Sequence, residues 1–152
     1  MTDIVDPSTR SKMMASIKGK NTAPERFVQA ELERRHLSFE AHSVELPGKP
    51  DVILPLYQMA LFVNGCFWHR HPGCFYATTP ASQTTFWQQK LGDTVERDAR
   101  KRAELEALGW RVIVVWECGV KHCPDQFEEV VDAIEGEIAL TEWPEKPPRV
   151  RE

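Results

Sequence analysis

No stretch of this 152-residue chain approaches the roughly 18 apolar residues in a row that a membrane-spanning helix needs, and Met1 to Arg10, with Asp3 and Asp6, hold no apolar core of a secretion signal. Both absences point to a cytoplasmic protein with no membrane association. Internal repeats are lacking too, and the length fits one domain over residues 1–152. Cysteine is limited to 4 residues. In a reducing compartment these are expected as metal ligands or free thiols rather than disulfides. Net positive charge is missing as well: 19 Lys/Arg against 23 Asp/Glu leave −4. That balance speaks against a nucleic-acid partner until it is divided along the chain. Residues 117–152 hold 10 Asp/Glu and 4 Lys/Arg, or −6, so residues 1–116 carry 15 Lys/Arg against 13 Asp/Glu, or +2. Arg10, Lys12, Lys18 and Lys20 make a basic arm within residues 1–20, and Lys90, Arg97, Arg100, Lys101 and Arg102 make a second basic stretch. Each suits a phosphate path or an ordinary solvated face.

What is present is ordered. Ser8 to Ile17 suggests a short helix, and Thr22-Ala23-Pro24-Glu25 supplies an N-cap, a first-turn proline and a capping-box glutamate for a firmer one. Strands are expected over 37–42, 51–54 and 59–63, the last two as a hairpin whose partners sum to about 113, which sets Asp51 opposite Phe62 or Val63. A helix is expected over 83–108, with a possible break at Gly92 and a stop at Gly109. Trp110 to Trp116 is nearly all apolar, as in a strand buried on both faces. A last helix is expected from Pro124 through Leu140, with residues 141–152 as a loose tail. The order predicts an α/β domain with a central mixed sheet flanked by helices.

The chemistry concentrates in Cys66-Phe67-Trp68-His69-Arg70-His71-Pro72-Gly73-Cys74. Cys66, His71 and Cys74 offer three metal ligands from one loop and Cys118 a fourth, a Cys3His set that would close a structural zinc site. His69 or Cys123 are alternative ligands. Asp51, after Pro-Gly-Lys-Pro, matches the first half of a pattern used by many magnesium nucleases, but the usual acid-x-lysine is absent from Leu61-Phe62-Val63-Asn64. An aspartate capping a turn explains Asp51 equally well. His69 sits where the hairpin delivers it near Asp51, and an imidazole there suits a general base. Asp98 and Glu25 are candidate carboxylate partners for it, or respectively a helix-surface charge and a cap. Phe67-Trp68 and Phe86-Trp87 are two aromatic pairs, for a core or for stacking on bases.

Taken together, PGKPD (47–51), FVNGCFWHRH (62–71), FWxxK (86–90), RD (97–98) and GWRVIVVWEC (109–118), behind TRSKMM and TAPE, resemble the very short patch repair (Vsr) endonucleases in unbroken order over roughly residues 8–118. The resemblance implies a restriction-endonuclease-like core with a structural zinc site. It implies strand-specific nicking of double-stranded DNA 5′ of the thymine in a T·G mismatch left by deamination of 5-methylcytosine. Asp51 and the main-chain carbonyl of Val63 would hold catalytic Mg2+, His69 would act as base with Asp98 as its partner, and Glu25 would hold water at the metal. Zn2+ would use Cys66, His71, Cys74 and Cys118. Phe67, Trp68 and Trp87 would enter the duplex from the major groove and Met14 from the minor groove, with Lys90 along the phosphates. The implied setting is a monomer at a bacterial nucleoid, linked in function to a cytosine-5 methyltransferase and downstream repair proteins. Asn64, Ser82-Gln83 and Thr94 depart from the family pattern and bear on flanking-base preference.

Overall fold

The computed structural model describes residues 22–148. The basic arm, the expected helix over Ser8 to Ile17 and Met14 therefore lie outside the described residues. Helix α1 (Ala23–Arg34) starts at the predicted cap: the Thr22 hydroxyl accepts from the Glu25 N–H at 3.4 Å, Pro24 sits in the first turn, and Val28 and Leu32 point into the core. Strands β1 (Glu40–Ala41), β2 (Val52–Leu54) and β3 (Met59–Asn64) are antiparallel neighbours. Helix α2 (Thr84–Ala107) then carries the chain to β4 (Arg111–Trp116), which lies parallel to β3. After helices α3 (Glu117–His122) and α4 (Glu128–Ile134), β5 (Glu142–Trp143) adds parallel to β4, giving a mixed sheet in the order β1-β2-β3-β4-β5.

Strand alternation explains why this sheet needs helices on both sides. Val52, Leu54, Met59, Leu61, Ile113 and Val115 meet α1 and α4 through Val28, Leu32, Val130 and Ile134, while Ile53, Ala60 and Val112 meet Leu105 of α2 on the opposite face. Among the described residues no helix is long and apolar enough to cross a membrane.

The hairpin register is the predicted one, with Val52↔Leu61, Ile53↔Ala60 and Leu54↔Met59 all summing to 113 across a Pro55–Tyr57 3-10 turn. Three expectations are corrected. Helix α2 runs unbroken through Gly92, where a helical glycine weakens the helix without forcing a break. The last helix ends at Ile134 rather than Leu140, because Gly136 takes φ +88° just past it. Residues 142–143 are not loose: Glu142 and Trp143 form β5, and Trp143 is fully buried against Phe127, with Gly119 so close that a Cβ there would stand 2.7 Å from the indole.

Candidate active site and metal centre

At the C-terminal end of β3 the chain leaves the sheet as the cysteine and histidine loop, and Arg70 braces that loop. Its guanidinium donates to the carbonyls of Phe67, Ala77 and Thr78 at 3.3, 3.1 and 2.7 Å. On the buried side of the loop, Cys66, His71, Cys74 and Cys118 converge with their ligand atoms all within 4.8 Å. Sγ of Cys66 and of Cys118 lie 3.7 and 3.4 Å from His71 Nδ1. A tetrahedron built on Zn–S and Zn–N bonds of about 2.3 and 2.0 Å has S···N edges of roughly 3.5 Å, so the donor set fits such an ion. The His71 ring is fixed by stacking on Trp116, centroids 4.2 Å apart and planes 11° apart. Hydrogen bonding from Cys118 and His71 pulls the Cys66 thiol well below its ordinary value, while the shared bond with Cys66, together with burial, pushes Cys118 up. Cys123 packs in the main core and His69 pairs elsewhere, so neither alternative ligand joins this cluster.

The solvent side of the same loop borders a cleft of about 1070 Å³ that gathers Glu25, Asp51, Val63, His69, Asp98, Phe67, Trp68 and Lys90. Asp51 Oδ2 accepts from the Val63 N–H at 2.7 Å, so the side chain replaces the next rung of the hairpin. N–H and C=O of one strand residue face the same edge, which presents the Val63 carbonyl on the Asp51 side. Burial raises the Asp51 carboxyl to about 6 despite the Val63 bond, with Glu25 adding to the rise and His69 and Lys101 opposing it. A buried carboxylate in this state favours a cation beside it, and with Glu25 and His42 it forms an oxygen-rich group whose ligand atoms lie within 4.8 Å of one another.

His69 Nδ1 lies 2.6 Å from Asp98 Oδ2 on α2. A carboxylate only accepts, so Nδ1 carries a proton, and in the neutral imidazole this leaves the Nε2 lone pair available. Phe67, Trp68 and Trp87 touch one another, with centroids 5.1 to 5.9 Å apart. Phe86, 55% exposed, stands edge-on to Trp87. Sequence reasoning missed two residues here. Lys101 reaches the cleft because its stem crosses Gly48, where a Cβ would lie 2.8 Å from it, and the charge-rich stretch gave no sign of which lysine would turn inward. His42 directly follows β1 and belongs to none of the sequence motifs, so nothing in the sequence marked it.

A mixed sheet with helices on both faces and a carboxylate and imidazole cleft at its strand ends fits an α/β nuclease fold. Comparison with known proteins narrows this. The family model described as DNA mismatch endonuclease Vsr matches residues 2–75. The chain is 42% identical over 121 residues to the DNA mismatch endonuclease Vsr of Escherichia coli (strain K12), covering 80% of this chain and 77% of that protein. It is 43% identical over 118 residues to the type II nicking enzyme V.XorIIP of Xanthomonas oryzae pv. oryzae, 78% of this chain and 86% of that one. Against the type II nicking enzyme V.NmeAIP of Neisseria meningitidis serogroup A it is 37% identical over 141 residues, 91% of this chain and all of the relative. The chain belongs to the Vsr family of endonucleases.

Proposed function

We propose that this endonuclease nicks one strand of duplex DNA on the 5′ side of the thymine in T·G mismatches, by Mg2+-dependent phosphodiester hydrolysis. Such mismatches arise where a cytosine-5 methyltransferase has acted, which ties the enzyme to the nucleoid and to a polymerase and ligase downstream. The observation that carries the proposal is that one cleft borders Asp51, the His69–Asp98 pair and the aromatic residues Phe67 and Trp68, with Trp87 packed on that pair.

Asp51 and the Val63 carbonyl would hold Mg2+, which supplies Lewis acidity at the scissile phosphate and lowers the pKa of bound water. Glu25 orients water from the wall of the cleft. His69, fixed by Asp98 through Nδ1, takes a proton at Nε2 from the attacking water. Phe67, Trp68 and Trp87, already packed edge-to-face and at a tilt, would form a wedge, and a wobble pair yields to it more readily than a Watson–Crick pair because less pairing and stacking is lost. Lys90 on the cleft wall meets the phosphate backbone. Cys66, His71, Cys74 and Cys118 would hold Zn2+ as a structural clip beneath the wedge. Four protein ligands leave no open position for substrate, so this site takes no part in hydrolysis.

Nicking rates on otherwise identical duplexes bearing T·G, T·A, C·G or an abasic site, with flanking bases randomised and with and without Mg2+, test the proposal. Preferential nicking of T·G is expected, and His69→Ala should slow it by roughly 10²- to 10⁴-fold while duplex binding persists. Equal cleavage of T·G and T·A would reject mismatch specificity and favour a restriction-type nuclease.

A further inference from the structure

Ala41 faces Val52 across β1 and β2, and one residue further the His42 N–H donates to the Asp51 carbonyl at 3.0 Å. His42 therefore stands opposite Asp51, and opposed residues of an antiparallel pair send their side chains to one face. Regular strand geometry stops at this rung, because His42 takes φ 57°, a left-handed conformation that side-chain-bearing residues seldom adopt. Its ring lies against the first turn of α1, with Nε2 3.4 Å from Oε2 of Glu25. Glu25 is only 3% exposed, and the ligand atoms of Glu25, His42 and Asp51 all lie within 4.8 Å of one another. Two carboxylates this close repel each other inside a protein unless a donor or a cation stands between them.

We propose that His42 is a positioning residue for the cleft: its Nε2–H holds the Glu25 carboxylate beside Asp51, so that the two acids present one fixed face to a divalent cation. This rests on the proposed metal role of Asp51 and Glu25. His42 acts on the cation through Glu25 and is not itself a ligand.

Mn2+ is the probe, and its binding to DNA-free protein is followed by electron paramagnetic resonance, a readout independent of nicking. His42→Ala should weaken Mn2+ binding by roughly 10- to 100-fold, the loss typical of removing a group that orients a metal ligand. His42→Gln, whose amide also donates, should restore most of it. In nicking of a T·G duplex, His42→Ala should lower kcat and leave KM for DNA unchanged. In a Glu25→Gln background, adding His42→Ala should have no further effect on Mn2+ binding. The proposal is overturned if His42→Ala matches wild type, if His42→Gln is as impaired as His42→Ala, if the two substitutions add, or if a nitrogen-14 modulation shows the ring bound to Mn2+. Should His42→Ala fail to fold, the His42→Gln protein and the Glu25→Gln cycle with it decide the matter. Retention of Mn2+ binding by Asp51→Asn would instead overturn the metal role on which the proposal rests.

Discussion

Cys66 and His69 are three residues apart, yet one belongs to a closed sulfur cage and the other to an open cleft. The cage is built from three thiols and one imidazole, all buried, with no wall facing solvent. The cleft is built from carboxylates and imidazoles that are buried on one side and open on the other. Soft donors in a sealed tetrahedron suit an ion that stays for the life of the fold, whereas hard donors along an open wall suit one that meets substrate. The same loop serves both because Arg70 holds its backbone rigid between them. The contrast implies opposite contributions to stability: the cage should hold the fold together, and the cleft should strain it.

Breaking the cage should produce the largest effect. Structural zinc contributes on the order of 10 kcal/mol to the folding of small zinc domains, so Cys118→Ser should lose metal and soluble fold together. Elemental analysis should find one zinc per wild-type chain and none in the variant, while Cys123→Ser keeps its metal. A metal-free wild type with an unchanged melting temperature would end the structural-zinc proposal.

The cleft should respond with the opposite sign. Burial raises the folded-state pKa of Asp51 to about 6 from an ordinary 3.8, so the folded chain binds this proton more tightly than the unfolded chain does. Stability from this group is complete below about pH 3.8, falls as pH rises through that window, and above about pH 6 has lost the full difference. At 1.36 kcal/mol per unit the loss is about 3 kcal/mol at most. Asp51→Asn can still accept from the Val63 N–H and carries no charge to bury. Without divalent ions it should therefore melt higher than wild type at pH 7.5 and level with it at pH 4, while Mg2+-dependent nicking is abolished. A variant less stable than wild type at pH 7.5 would remove the strain from the cleft's side of the contrast.

The two regions also differ in how far the sequence disclosed them. The four cage residues came from spacing alone only as candidates with substitutes, because Cys118 is remote in sequence and only the parallel pairing of β3 with β4 brings it to the loop. Asp51 beside Val63 was legible to one residue, since a short turn between two apolar strands fixes register by counting. His42 was not legible: its place follows from a left-handed residue ending a strand of two residues, and neither leaves a pattern in the sequence. β5 escaped for a similar reason. Glu142 and Trp143 sit among prolines and charges, and what makes them a strand is the edge of β4 and the pocket over Gly119. Met14 and the basic arm lie outside the described residues and stay expectations.

The smallest expected effects separate the wedge from the charges around it. Lys90 is exposed on the cleft wall, and under the proposed function it would meet the phosphate backbone, which is alike in matched and mismatched duplexes. Lys90→Ala should weaken binding to T·G and T·A duplexes equally and reduce the slope of log K against log salt by about 1. Under the proposed function Trp68 would act where the base pairs part. Its ring meets Phe67 edge-on and Trp87 at a tilt, so Trp68→Ala removes one member of an aromatic cluster rather than a charge. Stacking a base on such a ring is worth about 1–3 kcal/mol, and that energy is available only where the duplex opens. The variant should keep the wild-type salt slope and its T·A affinity while the T·G preference falls by about tenfold or more, the rate equivalent of the lower half of that range. Equal losses on both duplexes for Trp68→Ala would make the tryptophan part of the loop's packing and leave mismatch selection to other groups.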